Sequence, residues 1–410
     1  MSRPLFAAAL ALALAACAST PPEPADNLVE RSHELAKSSL IVDTHIDVPY
    51  RLEKEYEDVS QATQKGDFDY PRALAGGLNV PFMSIYIPAE READGTAGAL
   101  ADQLIDMVEN IAAQSQGKFR VAKSTADVMR NFNSRVISLP LGMENGAPIA
   151  GNLDRLRHFY DRGIRYITLT HSKSNHICDS SYDENRPWQG LSPFGEQLVR
   201  EMNRLGVMVD VSHVSDEAFY DVMKVTRVPP IASHSSARYF TPDFERNMDD
   251  DMIKTLAAAG GVIQINYGST FISARSRASY NEMKAARDAY LADNGLPGEG
   301  PDADAFTERY RERVPFEYAD LDDVLDHIDH VRDLVGIDYI GIGSDYDGVG
   351  DSLPTGLKDV SSYPNLIAGM LGRGYSEGDI RKVLGGNLMR VWRATERYAA
   401  AQGTASAGSH

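Results

Sequence analysis

Apolar runs of strand length alternate along this chain with amphipathic stretches, from about residue 40 onward. Eight such runs are predicted as strands: Leu40–Thr44, Leu78–Tyr86, Val136–Gly142, Tyr166–Thr170, Val207–Val211, Pro230–Ala232, Gly261–Ile265 and Ile340–Gly343. Alternating strands and helices indicate repeated β-α units, and a (β/α)8 barrel needs eight of them. The pattern therefore predicts an α/β fold, a TIM-type barrel forming a single domain over residues 31–400.

The helices carry their own sequence signals. The segment between the fourth and fifth strands has Ser192 in position to cap, Pro193 in the first turn and Gly206 at the end. A polar insertion at residues 272–314 is too long for a plain loop. We expect it to be a helical excursion with a turn, placed over the site or at a subunit contact. Helices are also predicted to close the chain after Ser376, followed by a disordered tail at 401–410.

The N-terminal residues 1–17, MSRPLFAAALALALAAC, have the short apolar run of a secretory signal. The small residues directly before Cys17 favour a bacterial lipoprotein signal, in which that cysteine is lipidated. An ordinary signal peptide, with Cys17 incidental, is the alternative. We expect a periplasmic protein, anchored in the outer membrane because Ala18 replaces the usual retention aspartate, with residues 18–30 as a tether. Cys178 would then have no partner for an intrachain disulfide and would be a buried or half-buried thiol, with an intermolecular bridge as the alternative.

The formal net charge is −18, with 59 acidic and 41 basic residues. Nucleic acid is excluded as a partner, because phosphate binding requires a basic face. A broad electrostatic contact with a membrane is disfavoured for the same reason. Membrane attachment is therefore expected only through the lipid at Cys17.

Metal-type ligands stand where four of the predicted strands end. They are His45, Asp47, Glu144, His213 and His234. Zinc binds imidazole nitrogen and carboxylate oxygen, and a barrel gathers its strand ends around one site. Two metals about 3.5–4 Å apart can hold a hydroxide and polarise a carbonyl, which suits amide or ester hydrolysis. The alternative is that all five are structural, with Asp47 capping the helix that follows it.

Two further strand ends carry His171 and Asp345. An imidazole there could stabilise an oxyanion, and a carboxylate could move a proton from water to a leaving amine. The alternatives are a loop hydrogen bond for His171 and a turn role for Asp345. His327 and His330 lie in an acid-rich amphipathic helix, and we interpret them as a solvated face rather than a metal site.

The chain resembles the membrane (renal-type) dipeptidases of the amidohydrolase superfamily. The matching motifs run in family order over nearly the whole mature chain: DTHIDVPY, GMENG, YITLTHS, GLSPFGEQLVREMNRLGVMVDVSHVS, IASHSSAR, RNMDDDMI and GIGSDYDG. The resemblance implies two zinc ions per chain, one held by His45, Asp47 and Glu144, the other by Glu144, His213 and His234. It further implies that His171 contacts the substrate carbonyl, that Asp345 handles the proton near the substrate amino group, and that Glu144 serves catalysis as the bridge.

The resemblance also assigns Arg246 to the C-terminal carboxylate of a dipeptide, which a bidentate guanidinium binds well. The alternative for Arg246 is a surface salt bridge. Phe271 stands where a tyrosine is expected to assist this contact, although Tyr267 is close in sequence. Family members are commonly dimers, so a homodimer is expected.

The predicted function is a zinc-dependent dipeptidase acting on L-Xaa-L-Xaa and L-Xaa-D-Xaa through a hydroxide bound by two metals. One alternative is another metal hydrolase of the superfamily, acting on lactones, phosphotriesters or acyl-amino acids. The other is a lipoprotein that binds dipeptides without cleaving them.

Overall fold

A computed structural model describes residues 25–407 of the chain. Eight parallel strands close into a barrel in the order β1-β10-β9-β8-β7-β6-β5-β2, and β3 pairs only with β4. The strands are β1 Ile41–Ile46, β2 Leu78–Tyr86, β3 Phe119–Val121, β4 Ile137–Leu139, β5 Leu141–Glu144, β6 Ile164–Thr168, β7 Met208–Asp210, β8 Ile231–Ser235, β9 Val262–Ile265 and β10 Ile340–Ile342. The predicted fold class, a TIM-type α/β barrel, is confirmed.

Helices surround the barrel. They are α1 Ala25–Ser38, α2 Val48–Lys54, α3 Tyr70–Gly76, α4 Glu90–Ala93, α5 Ala97–Gln114, α6 Thr125–Asn133, α7 Leu153–Arg162, α8 Pro193–Leu205, α9 Asp216–Val225, α10 Asp250–Ala258, α11 Ser269–Ile272, α12 Ala274–Asp293, α13 Pro301–Arg313, α14 Leu321–Val335, α15 Tyr363–Gly372, α16 Glu377–Arg381 and α17 Asn387–Ala407. Helix α8 has the predicted cap, since the Ser192 side chain accepts a hydrogen bond from the Gly195 amide.

The third predicted strand is in fact two strands. Pro140 separates β4 from β5, and only β5 belongs to the barrel. Proline has no amide hydrogen to contribute to a sheet, so the ladder changes partner at this residue. β4 pairs instead with β3, a three-residue strand that was not predicted.

Aromatic side chains fill the barrel interior and its floor. The Phe82 ring lies 5.5 Å from Tyr166 and 5.4 Å from Trp392 of α17, between ring centroids. All three are fully buried. This packing closes the amino-terminal end of the barrel, so chemistry is confined to the carboxyl ends of the strands.

The insertion at residues 272–314 is helical, as predicted, and consists mainly of α12 and α13. Two boundaries differ from expectation. Helix α1 begins at Ala25, within the predicted tether, and α17 continues to Ala407, through most of the predicted disordered tail. The alanine-rich end of the sequence favours helix over coil.

Residues 1–17, with the predicted lipidation at Cys17, lie outside the described residues, as do 408–410. Within residues 25–407, no helix is both long enough and apolar enough to cross a bilayer. Cys178 is a buried free thiol, as predicted.

Candidate metal centre and active site

The five predicted ligands converge at the carboxyl end of the barrel. His45 lies in β1, Glu144 ends β5 and His234 lies in β8, while Asp47 and His213 follow β1 and β7. All five are buried. The His45 Nε2 atom lies 3.3 Å from Asp47 Oδ2, and the Asp47 side chain makes no capping bond to helix α2. The structure therefore brings the predicted ligands together.

His45 is oriented by a tyrosine below it in the barrel. The Tyr166 hydroxyl donates its single hydrogen to the Thr44 carbonyl at 2.9 Å. It must then accept from His45 Nδ1, which also lies 2.9 Å away. The lone pair of His45 Nε2 is thereby directed at the cluster, the tautomer that a metal ligand requires.

His234 is oriented through a serine and an aspartate. Asp210 Oδ1 accepts from the backbone amides of Ser212 and Ser233, at 3.1 and 2.8 Å. Its Oδ2 accepts from the hydroxyls of Thr168 and Ser233, at 2.5 and 2.6 Å. Because Ser233 donates its only hydroxyl hydrogen to Asp210, its oxygen can only accept from His234 Nδ1. These two atoms are 2.7 Å apart. His234 Nε2 is again left with its lone pair facing the cluster.

Electron-rich atoms meet around the Glu144 carboxylate. Its Oε1 lies 3.0 Å from His213 Nε2 and 3.2 Å from His234 Nε2, and these two nitrogens are 2.8 Å apart. Its Oε2 lies 3.3 Å from His45 Nε2. Each oxygen therefore faces a separate set of nitrogens, an arrangement suited to bridging two cations.

The charge balance of this cluster calls for a cation. Burial alone would raise the pKa of Glu144, but His45, His171 and the close approach of His213 and His234 hold it well below its usual value. Burial alone would lower the pKa of His45, but Tyr166, Glu144 and Asp47 raise it well above its usual value. Among residues 25–407, His45 Nε2 and Asp47 Oδ1 are buried without a hydrogen-bond partner. A metal ion fits these groups, because it replaces the proton that the acids draw onto His45.

Backbone strain marks two of the site residues. His213 and Asp345 have φ values of +69° and +64°, in the left-handed region that side chains disfavour. Gly348 lets the loop after β10 approach the acids. A Cβ atom there would lie 2.2 Å from Asp345 Oδ1 and 2.3 Å from Asp47 Oδ2. Local packing thus holds Asp345 beside the predicted ligands.

Asp345 has the electrostatics of a proton-transfer group. Burial raises its pKa to about 7 against the opposing effect of His45, and the negative charges of Asp47 and Glu144 add to the rise. The Asn266 side chain donates to Asp345 Oδ2 at 2.7 Å. A pKa near neutrality suits a group that accepts and returns a proton, and cations at the neighbouring ligands would lower it.

His171 lies at the edge of the cluster, partly open to solvent. Its Nε2 is 3.6 Å from Glu144 Oε1, and its ring lies 4.2 Å from that of His213 and 4.8 Å from that of Tyr86. Burial lowers the pKa of His171, partly offset by Glu144. A neutral imidazole here could donate a hydrogen bond to an oxygen that gains charge beside the cluster.

Arg246 is buried and is not part of a surface salt bridge. Its guanidinium donates to Ser235 Oγ and to the His234 carbonyl, both at 2.8 Å. No carboxylate of residues 25–407 lies within ion-pair distance of it, and its buried Nε has no partner there. Phe271 packs its ring 5.5 Å from the guanidinium carbon, whereas Tyr267 is buried against Tyr346. Tyr267 therefore does not replace the hydroxyl that Phe271 lacks.

Several site residues were missed by the sequence patterns. Tyr166 and Asp210 lie within strands and act through the histidines, and Tyr182 follows β6 in an irregular loop. The solvated-face interpretation is wrong for His327, which is fully buried. Its Nδ1 accepts from the Ala237 amide at 3.1 Å, and its Nε2 donates to the Ile272 carbonyl at 3.0 Å.

A sequence model described as membrane dipeptidase (peptidase family M19) matches residues 29–406. A Schizosaccharomyces pombe protein named as an uncharacterized dipeptidase is 32% identical over 392 residues, 90% of this chain and 84% of that protein. The probable dipeptidase PvdM from Pseudomonas aeruginosa is 26% identical, with a TM-score of 0.79 covering 91% of this chain and all of that one. A Rhodobacter sphaeroides metallopeptidase, crystallised with a phosphinate mimic of L-Ala-D-Ala, shares the fold at 24% identity and a TM-score of 0.71, covering 87% and 100% of the two chains.

Proposed function

Because the chain belongs to the membrane dipeptidase family, peptidase family M19, we propose that this metallo-dipeptidase uses two zinc ions to hydrolyse dipeptides with free amino and carboxyl ends. The observation that carries the substrate class is Arg246. A buried guanidinium without a carboxylate partner among the described residues lies one hydrogen bond from the backbone of His234, a predicted ligand. Buried charges are normally paired, so an anion from the substrate supplies the missing partner.

We propose that His45, Asp47 and Glu144 hold one metal ion and that Glu144, His213 and His234 hold the other. The support is chemical: imidazole nitrogens with free lone pairs and carboxylate oxygens are the donors that zinc prefers. Bound there, two ions would activate the attacking water and polarise the substrate carbonyl.

The chain's own residues would complete the reaction. Asp345 accepts the proton of the attacking water and returns it to the nitrogen of the departing residue, which leaves as an amine. His171 donates a hydrogen bond to the former carbonyl oxygen as negative charge develops on it. The ionised Glu144 carboxylate would hold its place between His45 on one side and His213 and His234 on the other.

Substrate length follows from the position of Arg246. A carboxylate held by this side chain would lie beside the predicted metal ligands, because Arg246 bonds to the His234 carbonyl, and we therefore propose that a single residue follows the scissile bond. Arg246 would bind the carboxylate of that residue rather than its side chain. We therefore propose that both L and D residues are accepted at the second position.

The test replaces Arg246 with methionine, which retains packing against Phe271 but removes the charge. The expected result is a rise of roughly 10- to 100-fold in the KM for L-Ala-L-Ala, since charged hydrogen bonds contribute about 1.5–3 kcal/mol. An ester or lactone without a carboxylate is the matched control, and its kinetics should not change. Equal losses on both substrates would contradict the carboxylate role. Turnover of lactones, phosphotriesters or acyl-amino acids in preference to dipeptides would favour a different hydrolase.

We further propose that the protein is a lipoprotein held on the periplasmic side of the outer membrane through Cys17. The support is the sequence before that cysteine, LALAAC. Cys17→Ser should abolish labelling by radioactive palmitate and release the protein from membranes. A homodimer is proposed as well, and light scattering of the soluble form would give twice the chain mass.

A further inference from the structure

A second guanidinium, which comes from the insertion, is linked to the one on Arg246 through two packed aromatic rings. Arg277, in the first turns of α12, places its guanidinium carbon 3.4 Å from the centroid of the Phe244 ring. Phe244 packs against Phe271 at 5.6 Å, and Phe271 lies under Arg246 at 5.5 Å. Two aromatic rings therefore link the two arginines, one on the insertion and one beside the predicted metal ligands.

Arg277 has no protein anion to neutralise it. Among residues 25–407, no carboxylate lies within 4.0 Å of its side chain, which also makes no hydrogen bond there. Its neighbour Arg275 on the same helix is different, because it pairs with Asp323 at 2.5 Å. The chain carries a net charge of −18, yet this half-buried arginine has no acidic partner among the described residues. Burial also lowers the pKa of Arg277, so its charge is held at a cost in hydration.

Tyr182 connects this arginine to the reaction centre. Its ring lies 5.9 Å from that of His213 and 6.1 Å from that of Phe244, and 43% of the residue is exposed. Tyr182 therefore packs between Phe244, which Arg277 covers, and His213, a predicted metal ligand.

We propose that Arg277 recognises a carboxylate on the side chain of the substrate's C-terminal residue, so that the protein prefers dipeptides ending in aspartate or glutamate. The proposal rests on the proposed function, in which Arg246 holds the main-chain carboxylate of that same residue. A dianionic residue would neutralise both arginines at once, and its side chain would extend over the Phe244 and Phe271 rings. The insertion thereby supplies the side-chain specificity that the strand ends lack.

The experiment compares L-Ala-L-Glu with L-Ala-L-Gln, which have nearly the same shape and differ in one charge. In the zinc-loaded wild type, kcat/KM should be about 10- to 100-fold higher for the glutamate substrate, as expected for one charged hydrogen-bonded pair. Arg277→Met keeps an unbranched apolar side chain on Phe244 and should remove this preference, mainly through KM, while L-Ala-L-Gln is unaffected. Arg277→Glu should reverse it in favour of L-Ala-L-Lys.

Arg275→Met is the matched control, because it removes an equal charge from the same helix at a position that already has an acidic partner. It should leave the glutamate preference intact. A wild type that does not distinguish the two substrates, or an Arg277→Met variant that loses activity equally on both, would overturn the proposal. Turnover of L-Ala-L-Gln in those cases would leave the dipeptidase function standing. Failure to cleave either substrate would overturn both together.

Discussion

Replacement of Asp210 by asparagine should weaken metal binding although Asp210 is not a predicted ligand. Oδ1 faces two backbone amides, which can only donate, so the asparagine oxygen must occupy that position. The new NH2 group then faces the hydroxyls of Thr168 and Ser233 and donates to them. Ser233 must turn its own hydrogen toward His234 Nδ1, which lies 2.7 Å from its oxygen. His234 would then carry its hydrogen on Nε2, where it cannot bind a metal.

The size of the effect follows from this change of tautomer. Loss of an outer hydrogen-bond partner of a ligand typically costs 10- to 100-fold in metal affinity, or about 1.4–2.8 kcal/mol. Asp210→Asn should fall at the upper end, because it places the proton on the ligating atom. Ser233→Ala should cause a loss of zinc affinity at the lower end of this range. It removes the acceptor of His234 Nδ1 but introduces no donor that would force the hydrogen onto Nε2.

The assay is competition for zinc with a chromophoric chelator, applied to metal-free protein at one pH. Thr168→Val is the control: it removes a hydroxyl from the same carboxylate oxygen but does not touch the histidine. Its zinc affinity should be close to that of the wild type, and thermal melting of the metal-free forms would show that all variants fold. Wild-type zinc affinity in Asp210→Asn would refute the tautomer argument.

Three other substitutions test separate parts of the structure. Burial lowers the pKa of His327 from 6.5 to about 4, so the folded state loses stability as pH falls between those values, by about 3 kcal/mol in total. His327→Gln, whose amide can serve both backbone partners without titrating, should flatten urea-derived stability over that window; an unchanged slope would count against this assignment. Gly348→Ala would bring a methyl group into Asp345 and Asp47, and kcat/KM should fall by up to about 100-fold; wild-type kinetics would mean that the loop yields freely. Asp345→Asn should lower kcat by about 10²- to 10⁴-fold at nearly constant KM, and a change confined to KM would point to binding instead.

The barrel was predictable from the sequence because its strands are almost entirely buried and each contains a mainly apolar run of strand length. The strand Leu78–Tyr86 has the predicted bounds, and the ligands at Glu144 and His234 follow from where apolar runs stop. The error at the third strand has a local cause. The apolar run continues across Pro140, and only the pairing partners reveal that the sheet changes there.

Other features depend on contacts between distant segments. Asp210 looks like the polar end of a strand, and nothing in its own segment indicates a bond to Ser233 on the next strand. His327 stands among acids on its helix, yet loops around Ala237 and Ile272 cover it. The role of Arg277 was not predicted, because a missing acidic partner can be recognised only when the positions of all neighbouring side chains are known.

The most direct measurement is amino-acid release from L-Ala-L-Ala and L-Ala-D-Ala by the soluble form lacking residues 1–17, with zinc and with a chelator. Metal-dependent cleavage predicts release from both dipeptides that stops when zinc is removed and returns when it is restored. No release by protein shown to contain bound zinc, or release that the chelator does not affect, would contradict the proposal that this site is a two-metal dipeptidase centre.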